Sequence, residues 1–144
     1  MKIEKNNFDA IIIGAGFSGL YQLYCLRDRL GLSARIFESA VGVGGTWYFN
    51  RYPGARCDSE SHSYSYYFSD QLLQEWEWTE RYPQQPEVLR YLNFVAEKLN
   101  LLKDISFDTR ITAANYDTKK NLWSVQTVEG ETFQATFLIT AVGC

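Results

Sequence analysis

The sequence has few residues that could bind a transition metal or form a redox pair. It contains one histidine, His62, and three cysteines, Cys25, Cys57 and Cys144, none of them in a C-x-x-C pair. Metal sites need clusters of such ligands at characteristic spacings, and flavin disulfide reductases carry paired redox cysteines. We therefore expect no metal site and no disulfide reductase activity. We expect His62 to lie at the surface or to contact residues that line a site without lining it itself.

Strong net charge and long hydrophobic runs are also lacking. The formal net charge is -3 and the pI is about 5.2. The apolar run near the N-terminus is interrupted by Asp9 and Gly14, so it fits neither a signal peptide nor a membrane span. These absences disfavour nucleic acid and membrane partners and make the cytoplasm the expected location. A chain of 144 residues is one domain's worth, so residues 1–144 are predicted to form one domain.

The most informative motif present is a G-x-G-x-x-G sequence directly after an apolar run at residues 11–13. Its glycines are Gly14, Gly16 and Gly19. In a strand-turn-helix unit, the first glycine permits the tight turn, the second lets the backbone approach a pyrophosphate, and the third allows close helix packing on the sheet. The free N–H groups and the dipole of the following helix attract phosphates. The motif therefore predicts a dinucleotide site.

A predicted second strand, residues 34–37, ends at Glu38. A carboxylate in this position can accept hydrogen bonds from both hydroxyls of an adenosine ribose, and it repels a 2′-phosphate. The site therefore favours FAD or NAD over NADP. A Rossmann-like unit without any ligand remains the alternative.

The rest of the pattern predicts an α/β domain, namely a Rossmann-like FAD-binding domain with a parallel sheet, helices and an antiparallel β-meander. Helices are predicted at residues 17–30, with Gly31 as the C-cap and Leu30 on the buried face, at 70–78 and at 85–99. Residues 39–69 form a long loop on the ligand side of the sheet. Period-two patterns predict meander strands at 105–107, 110–116, 122–128 and 131–133, followed by a separate parallel strand at 136–143.

This order of elements, and two motifs in the long loop, resemble a known family. The motifs are GGTWY at residues 44–48 and RYPGARCD at 51–58, the latter followed by Glu60 and Ser61. Together they resemble the N-terminal FAD-binding domain of Baeyer–Villiger flavin monooxygenases of the cyclohexanone and phenylacetone type. The resemblance covers nearly the whole chain.

The resemblance implies a role for individual residues. Asp58 is the implied catalytic residue, near the isoalloxazine ring and facing the catalytic centre. Tyr64 is implied to reach the cofactor through its hydroxyl, Ile111 to flank the adenine, and Ala141 to pass beneath the cofactor. The remaining implied FAD contacts are Gly14, Gly16, Phe17, Ser18 and Gly19 at the pyrophosphate, Glu38 at the ribose, and Gly45, Thr46 and Trp47 at the flavin end.

The resemblance also implies a reaction in which NADPH reduces FAD and oxygen is inserted beside the carbonyl of a ketone, giving an ester or lactone. The remaining glycines build no second G-x-G-x-x-G motif, so we expect these residues to lack the NADPH domain and to be an N-terminal fragment that is inactive alone. Two alternatives stay open: a non-catalytic FAD-binding module and an NAD-dependent dehydrogenase domain. An unpaired, apolar edge on the last strand further predicts self-association.

Overall fold

The computed structural model describes residues 6–143, which leaves Cys144 outside the described residues. Six strands of this range form one mixed sheet in the spatial order β3-β2-β1-β6-β5-β4. The strands are β1 (Asn7–Ile13), β2 (Ala34–Phe37), β3 (Ile105–Ser106), β4 (Ile111–Asp117), β5 (Leu122–Thr127) and β6 (Thr132–Thr140). The helices are α1 (Phe17–Tyr24), α2 (Thr46–Phe49), α3 (Asp70–Glu75) and α4 (Gln85–Lys98), with a π-helical turn at Cys25–Arg29 and a 3-10 turn at Leu102–Asp104.

The centre of the sheet is parallel, as predicted. Ile12 of β1 lies between Ile36 of β2 and Ile139 of β6. Ile11 and Ile12 are both fully buried, because parallel strands are covered on both faces. The strand, helix and strand around the G-x-G-x-x-G motif are therefore confirmed, and the α/β fold with its meander is confirmed with them.

The two strands predicted at residues 131–133 and 136–143 are wrong as separate elements. They form the single strand β6, which pairs antiparallel with β5 through Ala135 and parallel with β1 as far as Thr140. No glycine or proline interrupts the segment, so the extended backbone continues from the meander into the parallel sheet. Beyond Ala135 the edge of β6 opposite β1 has no strand partner within residues 6–143.

The strand predicted at residues 105–107 belongs to the parallel part of the sheet and not to the meander. Ile105 of β3 pairs with Ile36 of β2 at the edge far from β4. The chain then turns at Asp108, which has a left-handed φ of 50°. The meander therefore consists of β4, β5 and β6.

Helix α4 supplies much of the core, through Val88, Leu92 and Val95. The C-cap at Gly31 is confirmed by its φ of 68° and by its N–H, which donates to the Arg27 carbonyl. Leu30, however, is 66% exposed. The expectation that it shares the buried face is wrong because the π-helical turn before it changes the helical phase.

The predicted helix at residues 70–78 ends earlier, at Glu75. Trp76 and Trp78 follow it and pack on Tyr91 of α4, with ring centroids 5.3 and 4.9 Å away.

The one-turn helix α2 inside the long loop was not predicted. No helix in the part of the chain that the structure describes is long and apolar enough to cross a membrane.

Candidate functional site

A groove of about 760 Å³ opens at the carboxyl ends of the parallel strands. The turn after β1, the end of β2, the segment around α2, the start of β4 and the end of β6 all line it. Open α/β sheets bind ligands in this position, outside the carboxyl ends of the strands. The groove is therefore the candidate site.

The turn after β1 and the helix α1 that follows it each require glycine at one position. Gly14 has a φ of 104°, and a Cβ there would lie 2.4 Å from the Ala141 carbonyl oxygen. A Cβ on Gly19 would lie 1.9 Å from the Gly14 carbonyl oxygen, so α1 can start this close to the sheet only with glycine. Both glycines thus set the position of the turn and of α1.

Three backbone N–H groups at the start of α1 are available for a ligand. The N–H groups of Gly16, Phe17 and Ser18 donate no hydrogen bond to any residue within the described range. Gly16, Phe17 and Ser18 all line the groove. Free N–H groups together with the positive end of the helix dipole suit a pyrophosphate.

A second glycine turn closes over the first. A Cβ on Gly45 would lie 3.0 Å from the Gly16 Cα, and the Gly44 N–H donates to the Ala15 carbonyl at 3.0 Å. Gly45 itself has a φ of 53° and a ψ of -122°, which side-chain-bearing residues rarely adopt. The two backbones therefore form a narrow cradle that side chains at these positions would fill.

Glu38 is buried at the end of β2 and has structural partners of its own. Its Oε2 accepts the Ala15 N–H at 2.7 Å, and its Oε1 accepts the Ala40 N–H at 2.7 Å and the Ser39 hydroxyl at 3.2 Å. A carboxylate has about four acceptor positions, so one on Oε2 stays available to a ligand. The sequence indicated a ribose acceptor and missed that the same carboxylate holds the glycine turn.

Aromatic side chains form the other end of the groove. The Trp47 Nε1–H donates to the Tyr64 hydroxyl oxygen at 3.1 Å, and the Phe17 ring meets the Tyr64 ring edge-on at 4.9 Å. Burial is the main cause that raises the pKa of Tyr64; it outweighs the hydrogen bond from Trp47, which lowers the pKa, and nearby Asp58 raises it further. Tyr64 therefore keeps its proton, and because its oxygen already accepts from Trp47, that proton can be donated into the groove.

The structure brings eleven of the predicted site residues together in the groove. They are Gly14, Gly16, Phe17, Ser18, Glu38, Gly45, Thr46, Trp47, Tyr64, Ile111 and Ala141. Gly19 is buried behind them. Asp58 is exposed and is not among the lining residues; its Oδ1 accepts a long hydrogen bond of 3.4 Å from the Ser59 hydroxyl.

The groove also contains residues that the sequence did not indicate. Phe49 is the last residue of the unpredicted helix α2 and Asn50 follows it, and Thr109 donates its N–H to the Glu38 carbonyl at 2.8 Å. The sequence could have indicated Thr109 only through its position just before a predicted strand.

His62 is exposed, 3.2 Å from a Glu60 carboxylate oxygen. No group of three or more potential metal ligands occurs between residues 6 and 143.

Comparison with known proteins agrees with this geometry. A profile of the family described as NAD(P)-binding Rossmann-like domain matches residues 12–75. The chain is 50% identical, over 98% of its length, to acetone monooxygenase (methyl acetate-forming) from Gordonia sp. strain TY-5. It is 49% identical, over 95% of its length, to a Baeyer–Villiger monooxygenase from Pseudooceanicola batsensis. The chain is homologous to the Baeyer–Villiger monooxygenases.

The Baeyer–Villiger monooxygenases of known structure share its fold. Cyclohexanone monooxygenase from Rhodococcus sp. Phi1, solved with NADP+, superimposes with a TM-score of 0.93 at 44% identity over 96% of the chain. A steroid monooxygenase bound to NADP gives a TM-score of 0.92 at 51% identity over 95% of the chain. The chain matches the N-terminal Rossmann-like domain of these monooxygenases and spans about a quarter of their length, 26% in both structures.

Proposed function

We propose that residues 1–144 are the FAD-binding domain of an NADPH- and oxygen-dependent Baeyer–Villiger monooxygenase that converts ketones to esters or lactones. One observation carries the proposal: the two glycine turns meet, with a Gly45 Cβ position only 3.0 Å from the Gly16 Cα, beside three free N–H groups. Such a cradle fits a pyrophosphate, and a side chain on either glycine would occupy the space that the pyrophosphate needs. The cofactor therefore fits the residues present.

In this proposal, each end of the groove binds a different part of FAD. The N–H groups of Gly16, Phe17 and Ser18 would bind the pyrophosphate, and the free acceptor position of Glu38 would bind the adenosine ribose. Ile111 would flank the adenine. Thr46, Trp47 and Tyr64 would hold the flavin end. Bound FAD would supply the electron transfer and the oxygen activation that these side chains cannot perform.

Asp58 is the proposed catalytic residue, although it lies outside the groove lining. It is close enough to Tyr64 for its charge to contribute to the raised pKa of that residue. A carboxylate beside the flavin end can hold a charge or a proton for a reacting group at the mouth of the groove. Its assignment rests on the RYPGARCD motif and on this proximity.

Release of FAD from the purified chain tests the binding proposal. We expect denatured protein to release FAD, and stripped protein to regain it on titration, with NAD failing to compete at equal concentration. A colourless protein that cannot be reconstituted with FAD contradicts the proposal, and displacement of FAD by NAD favours the dehydrogenase alternative.

Turnover separates an enzyme from a non-catalytic FAD module. We expect no ester from the 144-residue chain supplied with FAD, NADPH and a ketone, because the reaction uses a second nucleotide and the sequence has one G-x-G-x-x-G motif. The assay is gas chromatography of the ester or lactone. Ester formation by this chain alone contradicts the proposal that the chain binds FAD but cannot complete the reaction.

We also propose self-association through β6, in a cytoplasmic protein without nucleic acid or membrane partners. The edge of β6 beyond Ala135 has no strand partner in residues 6–143, and Phe137 on it is 55% exposed. Unpaired apolar strand edges pair readily with a second chain. Sedimentation of the chain at several concentrations tests the association, and fractionation of expressing cells tests the location.

A further inference from the structure

Helix α2 lines the flavin end of the groove but is too short to be stable alone. It has four residues, Thr46–Phe49, and isolated helices need roughly 12–15 residues to form in water. The final carbonyls of any helix also lack partners within it. Here they are satisfied from outside: the Asn50 N–H donates to the Thr46 carbonyl, Gln85 Nε2 to the Trp47 carbonyl, and Arg51 Nε to the Tyr48 carbonyl.

Gln85 is the only one of these three donors that comes from another element of the fold. It lies on the first turn of α4 and its side chain is buried, with the whole residue 7% exposed. Its own N–H donates to the Ala55 carbonyl at 2.9 Å, which fixes its backbone. Since α4 is anchored in the core through Val88 and Leu92, the Gln85 amide ties α2 to a rigid element.

Arg51 offers a local comparison. It donates to a carbonyl three residues away, and its exposed guanidinium lies over the Tyr48 ring at 4.6 Å. It belongs to the same segment as α2 and moves with it. It can therefore cap the helix but cannot locate it relative to the glycine turn.

We infer that Gln85 is a positioning residue for the flavin end of the groove, an inference that rests on the proposed FAD site. Its amide holds the Trp47 carbonyl. The Trp47 backbone in turn sets where the indole N–H meets the Tyr64 hydroxyl, 3.1 Å away. Gln85 is not among the residues that line this groove, so it acts through Trp47 and not by contact with a ligand.

The test compares Gln85→Met, which keeps the side-chain length without a donor, with Gln85→Asn, whose amide is one methylene too short. Arg51→Met is the matched control, because it removes a donor to the adjacent carbonyl. The first readout is the indole N–H spectrum of the 15N-labelled, FAD-free chain. We expect both Gln85 variants to shift the Trp47 signal and leave that of Trp123 in the meander unchanged, and Arg51→Met to shift neither.

The second readout is FAD affinity, with thermal unfolding of each variant followed in parallel. We expect Kd for FAD to rise about tenfold in both Gln85 variants, equivalent to about 1.4 kcal/mol, and less than about twofold in Arg51→Met. An unchanged Trp47 signal in the Gln85 variants, or equal losses of affinity in Gln85→Met and Arg51→Met, would overturn the inference. Failure of the wild-type chain to bind FAD would overturn the proposed function instead, and the indole spectrum would still decide the role of Gln85.

Discussion

The Oε2 atom of Glu38 accepts the backbone N–H of Ala15 at 2.7 Å, so the end of β2 is tied directly to the glycine turn after β1. The same carboxylate accepts the Ala40 N–H, which holds its own loop in place. A residue that the sequence indicates as a ligand for ribose is thus also a structural support of the glycine turn, the proposed pyrophosphate site. We therefore expect fold stability and cofactor affinity to be coupled through this one side chain.

Glu38→Ala is expected to lower both stability and FAD affinity. It leaves the N–H groups of Ala15 and Ala40 without their acceptor in a buried region, and an unsatisfied buried donor costs about 1–3 kcal/mol. We expect the free energy of unfolding to fall by about 2–4 kcal/mol, measured by urea denaturation. Ser39→Ala removes a single hydroxyl hydrogen bond of 3.2 Å to Glu38 Oε1 and leaves both N–H acceptors in place, so it should cost about 0.5 kcal/mol or less. Equal stability of Glu38→Ala and wild type would exclude the supporting role.

The glycines of the motif should separate into structural and ligand-binding positions. Gly19→Ala places a Cβ 1.9 Å from the Gly14 carbonyl oxygen and should lose about 2–3 kcal/mol of stability, although alanine normally stabilises a helix. In Gly16→Ala the nearest atom outside the turn is 3.5 Å away, so stability should change by about 0.5 kcal/mol or less. FAD affinity should nevertheless fall at least about tenfold in Gly16→Ala. Denaturation curves and FAD titrations measure the two effects, and a Gly16→Ala variant that binds FAD normally would count against the pyrophosphate cradle.

Phe137→Lys is expected to suppress self-association. A charge on the unpaired edge of β6 opposes edge-to-edge pairing, and Phe137 is exposed there. Leu30→Lys adds the same charge at another exposed apolar position, after α1, and should leave the association unchanged. Sedimentation velocity of the three proteins decides the matter. A wild-type chain that remains monomeric at high concentration would refute the proposed interface.

Ser33→Ala should change how stability depends on pH in the acid range. Asp9 Oδ2 accepts the Ser33 hydroxyl and the Ser33 N–H, both at 2.7 Å, and these bonds hold the pKa of Asp9 below its ordinary value of 3.8. A lowered pKa contributes stability that is present above pH 3.8 and is lost as the pH falls through the lowered value. The variant should show a higher Asp9 pKa by NMR titration, and its stability deficit should shrink below pH 3.8. An Asp9 pKa that is the same in both proteins would contradict this explanation.

Local patterns predicted much of the fold because their causes are local. The helix predicted at residues 85–99 occurs as Gln85–Lys98, since Pro86 suits a helix start and the apolar residues follow at helical spacing. The predicted strand at residues 34–37 is β2 without change. By contrast, the assignment of residues 105–107 to the meander failed because strand partners depend on contacts far along the chain. The period-two pattern of residues 105–107 would be the same whether the strand paired with β2 or with a strand of the meander.

The amino-acid sequence by itself determined the G-x-G-x-x-G turn, the acidic end of β2 and the family to which the chain is homologous. Each of these depends on residue types at fixed spacing along the chain. The tertiary structure alone decided that Gly45 closes on Gly16, that β6 is one strand with a partly unpaired edge, and that the Gln85 amide caps α2. Gly45 lies far along the chain from Gly16, Gln85 lies 38 residues from Trp47, and β6 joins β1 from the opposite end of the chain, so packing and hydrogen-bond geometry, not local preference, select these partners.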